Sequence, residues 1–235
     1  MSTWRDGWFI FIKDLKSDRY HLIYNVIFML YLGGMTILAL NWESQTTNPI
    51  LDYYLLLIVP YLGFFFSRKS FRYLKNDSYT KMLYYYRMLP IPAIAIIKGR
   101  IISLIFASLF NSLIYFSVYF GVMYSKWGAM KIQVYLAFVF TCLGYCFLIS
   151  GIYIYVEFLK KGTVYLWITI ILNMAFILVA FVISHLGWNL TKYVMQSSQQ
   201  GLLSPIMWGS LVISSAALWG MCRITLRKLS TRDLI

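Results

Sequence analysis

Uncharged polar side chains are the main candidates for chemistry inside the apolar stretches of this 235-residue sequence. Asn111 and Asn173 each lie near the middle of a long apolar run. An amide in such a run either hydrogen-bonds a neighbouring helix or lines a path for a polar substrate. The pattern favours helix contacts for any single residue, and both asparagines remain candidates for a substrate path.

Catalytic and nucleotide-binding patterns are missing from the sequence. It contains no G-x-x-x-x-G-K-[ST] motif, so ATP binding through a P-loop is excluded. It also has no H-E-x-x-H, no G-x-S-x-G and no histidine and cysteine at metal-ligand spacing. Glu157 and Asp52 stand at the ends of apolar runs, where we expect water to reach them. We therefore expect no catalytic residue, no metal site and no cofactor in this chain.

A basic segment, residues 67–100, separates the second and third apolar runs. It holds eight lysines or arginines and a single acid, Asp77. Residues 78–89 can form about three helical turns, which Pro90 and Pro92 would end. One face of that helix is apolar and comprises Met82, Leu83, Tyr86 and Leu89. Such a face can lie on anionic lipid or dock on a protein, and the proline-terminated pattern favours docking.

The elements that position these residues are long apolar runs. The chain is 60% hydrophobic and 12% charged, with a mean hydropathy of +0.69, whereas soluble domains carry about 25% charged residues. The pattern predicts an all-α membrane protein with six transmembrane helices. The six runs are Leu22–Leu40, Ile50–Phe66, Ile101–Tyr124, Ile132–Val156, Thr163–Leu186 and Pro205–Cys222. The second run is short, and we expect a kink at its Pro60.

The distribution of positive charge predicts orientation. Of the 21 lysines and arginines, 18 lie in residues 1–21, 67–100, 157–162 and 223–235. Cytoplasmic loops carry such an excess, so both termini are predicted to be cytoplasmic in a multi-pass protein of the plasma (inner) membrane. The net charge of +13 is explained by these loops, and we do not expect nucleic acid as a partner.

The first 21 residues are predicted to form an amphipathic helix. Its apolar stripe comprises Trp4, Trp8, Phe11, Ile12 and Leu15. We expect this helix to lie in the cytoplasmic interface with its cations toward anionic lipid. It could serve as an anchor before the first span or as a lever between a cytoplasmic partner and the bundle, and the pattern favours the anchor.

The sequence thus divides into three parts. Residues 1–21 form the interfacial helix, and residues 22–222 form the transmembrane domain. That domain includes the cytoplasmic loop 67–100 and an external segment, residues 187–204. Residues 223–235 form a cytoplasmic tail.

The layout resembles the permease subunits of ABC-2-type exporters, which combine six spans, cytoplasmic termini, an amphipathic N-terminal helix and no nucleotide site. In that family the loop after the second span carries an acid, a Gly-Thr-like pair, a leucine-bearing helix and a Leu-Pro step before basic residues. The matching positions here are Asp77, Ser78, Thr80, Leu83, Leu89, Pro90, Lys98 and Arg100. Ser-Tyr-Thr replaces the usual Gly-Thr pair.

The resemblance implies a coupling helix that inserts into a groove on a separate ABC ATPase, which would carry the ATP and Mg²⁺. The residues so implied are Asp77, Ser78, Thr80, Met82, Leu83, Leu89 and Pro90. It also implies a second permease, identical or homologous, and outward movement of a peptide, a drug-like amphiphile or a lipid. Two alternatives remain open: a substrate-binding importer subunit like the S-components of vitamin transporters, and a non-transporting accessory or sensing subunit.

Overall fold

Helices make up almost all of the described chain. A computed structural model describes residues 3–41, 49–66, 77–89, 91–127 and 131–231, and 89% of these are helical, with no strand among them. The helices are α1 (Thr3–Ser17), α2 (His21–Asn41), α3 (Pro49–Tyr61), α4 (Ser78–Met88), α5 (Ala93–Trp127), α6 (Ile132–Leu159), α7 (Gly162–His185), α8 (Leu190–Ser198) and α9 (Pro205–Thr231). A short 3-10 helix, Gly201–Leu203, joins α8 to α9.

Five of these helices are long and apolar enough to cross a membrane. The qualifying parts are His21–Leu40, Ala93–Gly121, Ile132–Leu159, Gly162–His185 and Pro205–Leu229. Helices of this length cover the roughly 30 Å hydrocarbon core of a bilayer. The chain is therefore an all-helical protein with the composition of a multi-pass membrane protein, as the sequence predicts. The remaining predicted span, Ile50–Phe66, corresponds to α3, which has only 13 residues.

Helix α3 ends at a proline instead of bending there. Pro60 is its penultimate residue, and residues 64–66 beyond it are neither helix nor strand. Proline lacks the N–H that would bond the carbonyl four residues earlier, which belongs to Leu56. The Tyr145 hydroxyl of α6 donates to that carbonyl at 3.1 Å. The helix therefore ends at this point, and the hydrogen bond from Tyr145 of α6 stabilises the break. The sequence predicted a kink here instead.

Replacing Tyr145 with phenylalanine should test this account of the break. The variant keeps the ring and removes the hydroxyl that donates to the Leu56 carbonyl. We expect the free energy of unfolding to fall by about 1 kcal/mol, measured as a lower unfolding midpoint of the purified protein in detergent. Tyr193→Phe, at an exposed position of α8, is the matched control and should change nothing. Equal midpoints for the two variants would contradict the account.

Helix α1 packs across the start of α5 through two glycines. A Cβ on Gly7 would lie 3.0 Å from the backbone nitrogen of Gly99, so a larger residue would have to push the two helices slightly apart. Phe11 follows on the same face and is buried against Phe106, with ring centroids 5.3 Å apart. Trp4 and Trp8, placed on the predicted apolar stripe, are instead about half exposed. The buried face of α1 therefore contains Gly7 and Phe11. It is rotated about the helix axis relative to the stripe predicted from the sequence.

Helices α6 and α9 form another close crossing. A Cβ on Gly144 would lie 2.6 Å from Ser210 Oγ and 2.9 Å from the Ser210 carbonyl carbon. Small residues permit such contact between apolar helices, where dispersion and hydrogen bonds replace the hydrophobic effect. Helix α9 continues through most of the segment predicted as a tail. The two helices therefore pack closely where Gly144 meets Ser210.

Asp52 fixes the start of α8 to the bundle. It is 1% exposed and accepts hydrogen bonds from the backbone nitrogens of Leu190 and Thr191, each at 2.8 Å, and from Thr191 Oγ1 at 2.6 Å. A carboxylate satisfies the free N–H groups at a helix start and suits its positive dipole end. The expectation that water reaches Asp52 and Glu157 is wrong, because both are buried in protein contacts.

Candidate functional site

The helix that the sequence predicts for ATPase coupling is α4. Asp77 precedes it in a left-handed conformation, with φ 43° and ψ 52°, which aspartate tolerates better than most residues. Its carboxylate accepts a hydrogen bond from the backbone nitrogen of Gly162 at 3.0 Å. Gly162 is the first residue of α7, so Asp77 caps α7 and ties the start of α4 to it.

One face of α4 is buried in the chain's own core. Leu83 is 1% exposed and Tyr86 is 3% exposed. They belong to a cluster with residues of the N-terminal part of α5 and the C-terminal parts of α6 and α9. That cluster also contains Ile96, Ile97, Leu104, Ile154, Phe158, Cys222 and Leu229. A displacement of α4 must therefore move or strain the ends of three membrane-length helices.

The other predicted coupling residues lie around this buried face. Thr80, Met82 and Leu89 are partly buried, and Met82 packs against the same cluster. Pro90 and the Ser78 side chain lie outside the described part of the chain. The apolar face predicted to dock on a partner is thus largely directed into the bundle, and docking itself stays a prediction.

The outward face of α4 consists of large exposed side chains. Tyr84 and Tyr85 are each 52% exposed and Met88 is 69% exposed. With the exposed Lys81, they occupy positions i, i+3, i+4 and i+7, which lie on one helix face. Aromatic residues and methionine are enriched at protein interfaces. These four side chains are called the α4 outer face below, and they are exposed among the described side chains of α4.

Helix α1 contacts α4 as well as α5. The Tyr86 hydroxyl lies 3.4 Å from both oxygens of Asp14 and donates to that carboxylate. Burial, and then the Asp14 charge, raises the pKa of Tyr86 well above its usual value, so the hydroxyl stays protonated and can donate. Lys13 Nζ lies 5.1 Å from the ring centroid of Tyr85. The arrangement fits the lever alternative for α1, because this helix connects α4 to α5.

A buried ion pair lies beside this assembly. Arg100 Nε of α5 donates to Glu157 Oε2 of α6 at 2.9 Å, with side chains 21% and 7% exposed. Arg100 was assigned to the basic loop by sequence, but it lies two turns inside α5. The pair connects the N-terminal part of α5 to the C-terminal end of α6.

Asn111, a predicted substrate-path residue, holds the break after α3. It is fully buried, and its Nδ2 donates to the carbonyls of Leu62 at 3.0 Å and Phe64 at 2.8 Å. Backbone groups at membrane depth require such internal partners. Asn25 of α2 supports the same segment by accepting from the Phe66 nitrogen at 3.0 Å. Sequence reasoning missed Asn25, although an amide inside the first apolar run was a usable signal.

Asn173, the other predicted path residue, is partly buried on α7. No contact brings it together with Asn111 among the described residues. The same residues contain no group of three histidine, cysteine or acidic side chains placed to hold a metal ion. The residues predicted from the sequence to be functional therefore lie in three separate places. The coupling residues lie on or next to α4, Asn111 lies at the break after α3, and Asn173 lies on α7.

Comparison of the sequence with protein-family models and with curated proteins, and of the structure with solved structures, finds no match.

Proposed function

We propose that this chain is the membrane-spanning permease subunit of an ATP-driven exporter, energised by a separate cytoplasmic ATPase. The observation that carries the proposal is α4: a short helix whose buried side chains share one apolar cluster with side chains of α5, α6 and α9 while its outer face is exposed. A partner that pushes on the outer face would act on three membrane-length helices at once.

The remaining parts of the proposal follow the charge pattern and the resemblance to ABC-2-type permeases. Six spans would cross the plasma (inner) membrane, with α3 and its extended continuation forming the second span and both termini in the cytoplasm. The exposed Trp4 and Trp8 of α1 would lie among the headgroups, with nearby cations on anionic lipid. A second permease, identical or homologous, would complete the path for a peptide, a drug-like amphiphile or a lipid.

Co-purification tests this proposal. The full chain, solubilised from its own membrane in mild detergent, is expected to retain the ABC ATPase encoded nearest to it. Vesicles that contain both proteins are then expected to move substrate only with hydrolysable ATP. If the intact chain retains no ATPase, and added ATPase does not bind it, the proposed function is wrong.

A further inference from the structure

Helix α7 is the least buried of the five membrane-length helices. Only 11% of the residues in its most apolar stretch are buried, against at least 17% in each of the other four. It is also the most apolar of the five, with a mean hydropathy of 2.7. Lipid tails are as apolar as the leucine and isoleucine side chains of such a helix, so low burial alone does not indicate a protein partner.

Asn173 is the side chain of α7 that lipid does not suit. It lies at the middle of the 24-residue helix, is only partly buried, and has no hydrogen-bond partner among the described residues. An amide carries two N–H donors and a carbonyl acceptor, and the hydrocarbon core of a bilayer contains no water to satisfy them. Asn25 and Asn111, by contrast, bind the break after α3. The Asn173 amide therefore calls for a partner outside the described part of the chain.

Apolar side chains surround Asn173 on the same side of α7. Ile170, Met174, Ile177 and Phe181 stand at i−3, i+1, i+4 and i+8 from it, which places all five side chains on one face of the helix. Ile170, Met174 and Phe181 are 40%, 58% and 62% exposed. Membrane helices associate through side-chain packing and interhelical hydrogen bonds, and these five side chains offer both. They are called the Asn173 face below.

We propose that the Asn173 face binds a second copy of this chain, with the two Asn173 amides paired across a two-fold axis. Two copies with the same orientation in one membrane are related by an axis along the membrane normal, which places equal residues at equal depth. An amide is its own complement, because each Asn173 can donate an N–H and accept through its carbonyl. A single asparagine in an apolar helix seam also fixes register and oligomeric state. The inference rests on the proposed function, whose second permease it identifies as an identical chain.

Disulfide crosslinking of the full chain in its own membrane tests this surface. The three native cysteines are replaced by alanine, and Ile170→Cys or Ile177→Cys places one thiol on the Asn173 face. Val179→Cys is the matched control, because position 179 is 45% exposed and lies at a similar depth but about 200° around the helix from Ile177. We expect oxidation to form the covalent dimer at least tenfold faster at positions 170 and 177 than at position 179. Equal rates at positions 177 and 179, or crosslinks from position 177 to a different protein, would overturn the proposal.

Substitution of Asn173 tests the amide pair. The monomer–dimer equilibrium is measured in liposomes by energy transfer between copies that carry two different dyes at the C terminus. Asn173→Leu removes the amide at similar volume, and we expect it to weaken the dimer at least tenfold. Asn173→Gln keeps the donors and the acceptor and should retain most of the affinity. Equal affinities with asparagine and leucine at position 173, or a glutamine variant as weak as the leucine variant, would overturn the amide pair.

Neither measurement requires an ATPase, so failure of this inference and failure of the proposed function are distinguishable. If position 177 crosslinks between two copies and the chain retains no ATPase, the dimer is supported and the proposed function is wrong. If the chain retains an ATPase and position 177 forms no dimer, the proposed function is supported and pairing through the Asn173 face is wrong.

Discussion

Replacing Glu157 with leucine is expected to lower the free energy of unfolding by roughly 3 kcal/mol. The change leaves the guanidinium of Arg100, which is 21% exposed, without the carboxylate that lies 2.9 Å away. Breaking a buried ion pair by removing one partner costs roughly 3–5 kcal/mol, because the remaining charge stays in a low-dielectric environment. The partial exposure of Arg100 and its further contacts place the effect at the lower end of this range. The unfolding midpoint of the purified protein in detergent measures it.

A double variant separates the ion pair from simple loss of volume. Arg100→Leu combined with Glu157→Leu removes both charges and should recover most of the stability lost in the single variant, since apolar replacements of a buried pair are often neutral. If the double variant is no more stable than Glu157→Leu, the unpaired charge of Arg100 does not explain the loss of stability in the single variant, and this account is contradicted.

Removing the α4 outer face should abolish recruitment of the ATPase while leaving the bundle intact. In the variant Tyr84→Ala, Tyr85→Ala and Met88→Ala, each altered side chain is more than half exposed, so little packing is lost. Truncating an aromatic residue at the centre of an interface to alanine reduces the binding free energy by about 2 kcal/mol or more. Losing even one such residue weakens binding roughly 30-fold. Titration of the ATPase onto immobilised protein measures the affinity.

Tyr20→Ala is the matched control for this variant. Tyr20 is 61% exposed and lies between α1 and α2, away from α4 in sequence. It should leave both affinity and unfolding midpoint unchanged. By contrast, Leu83→Asp should unfold the protein, because Leu83 is buried in the cluster that α4 shares with α5, α6 and α9. That variant therefore cannot report on docking. Unchanged affinity in the triple variant would contradict docking through the α4 outer face.

Apolar length alone predicted several helices to within a few residues. The fourth run was predicted as Ile132–Val156 and forms α6, Ile132–Leu159. The fifth was predicted as Thr163–Leu186 and forms α7, Gly162–His185. Continuous apolar runs leave helix as the stable backbone arrangement in lipid, so their existence and type follow directly from composition.

The sequence predicts too late a start for α5, because the charged residues Lys98 and Arg100 were assigned to the loop before it. The third run was predicted to begin at Ile101, whereas α5 begins at Ala93. Lys98 lies within this extra length, where its Nζ is 2.5 Å from Thr3 Oγ1 and 4.6 Å from the Trp4 ring centroid. Charged residues enter a helix when distant side chains pair with them, and such pairing is invisible in a single sequence.

The apolar face of α4 was predicted, but its burial inside the bundle was not, for a related reason. Its sequence offers two apolar faces, one with Leu83 and Tyr86 and one with Tyr84, Tyr85 and Met88. Only packing against α5, α6 and α9 decides which is buried. The proline predicted the position of the break after α3. The hydrogen bonds that stabilise the break come from Tyr145 and Asn111 on distant helices, which the sequence could not indicate.

Photo-crosslinking in intact cells tests the central claim most directly. A benzophenone amino acid replaces Tyr84 on the α4 outer face, and a second variant carries it at Trp188, in the segment predicted to be external, as the control. Coupling to an ATPase predicts that position 84 crosslinks to a protein that carries a P-loop and hydrolyses ATP, and that position 188 does not. Crosslinks from position 84 to lipid alone, or to no ATPase, would contradict the claim.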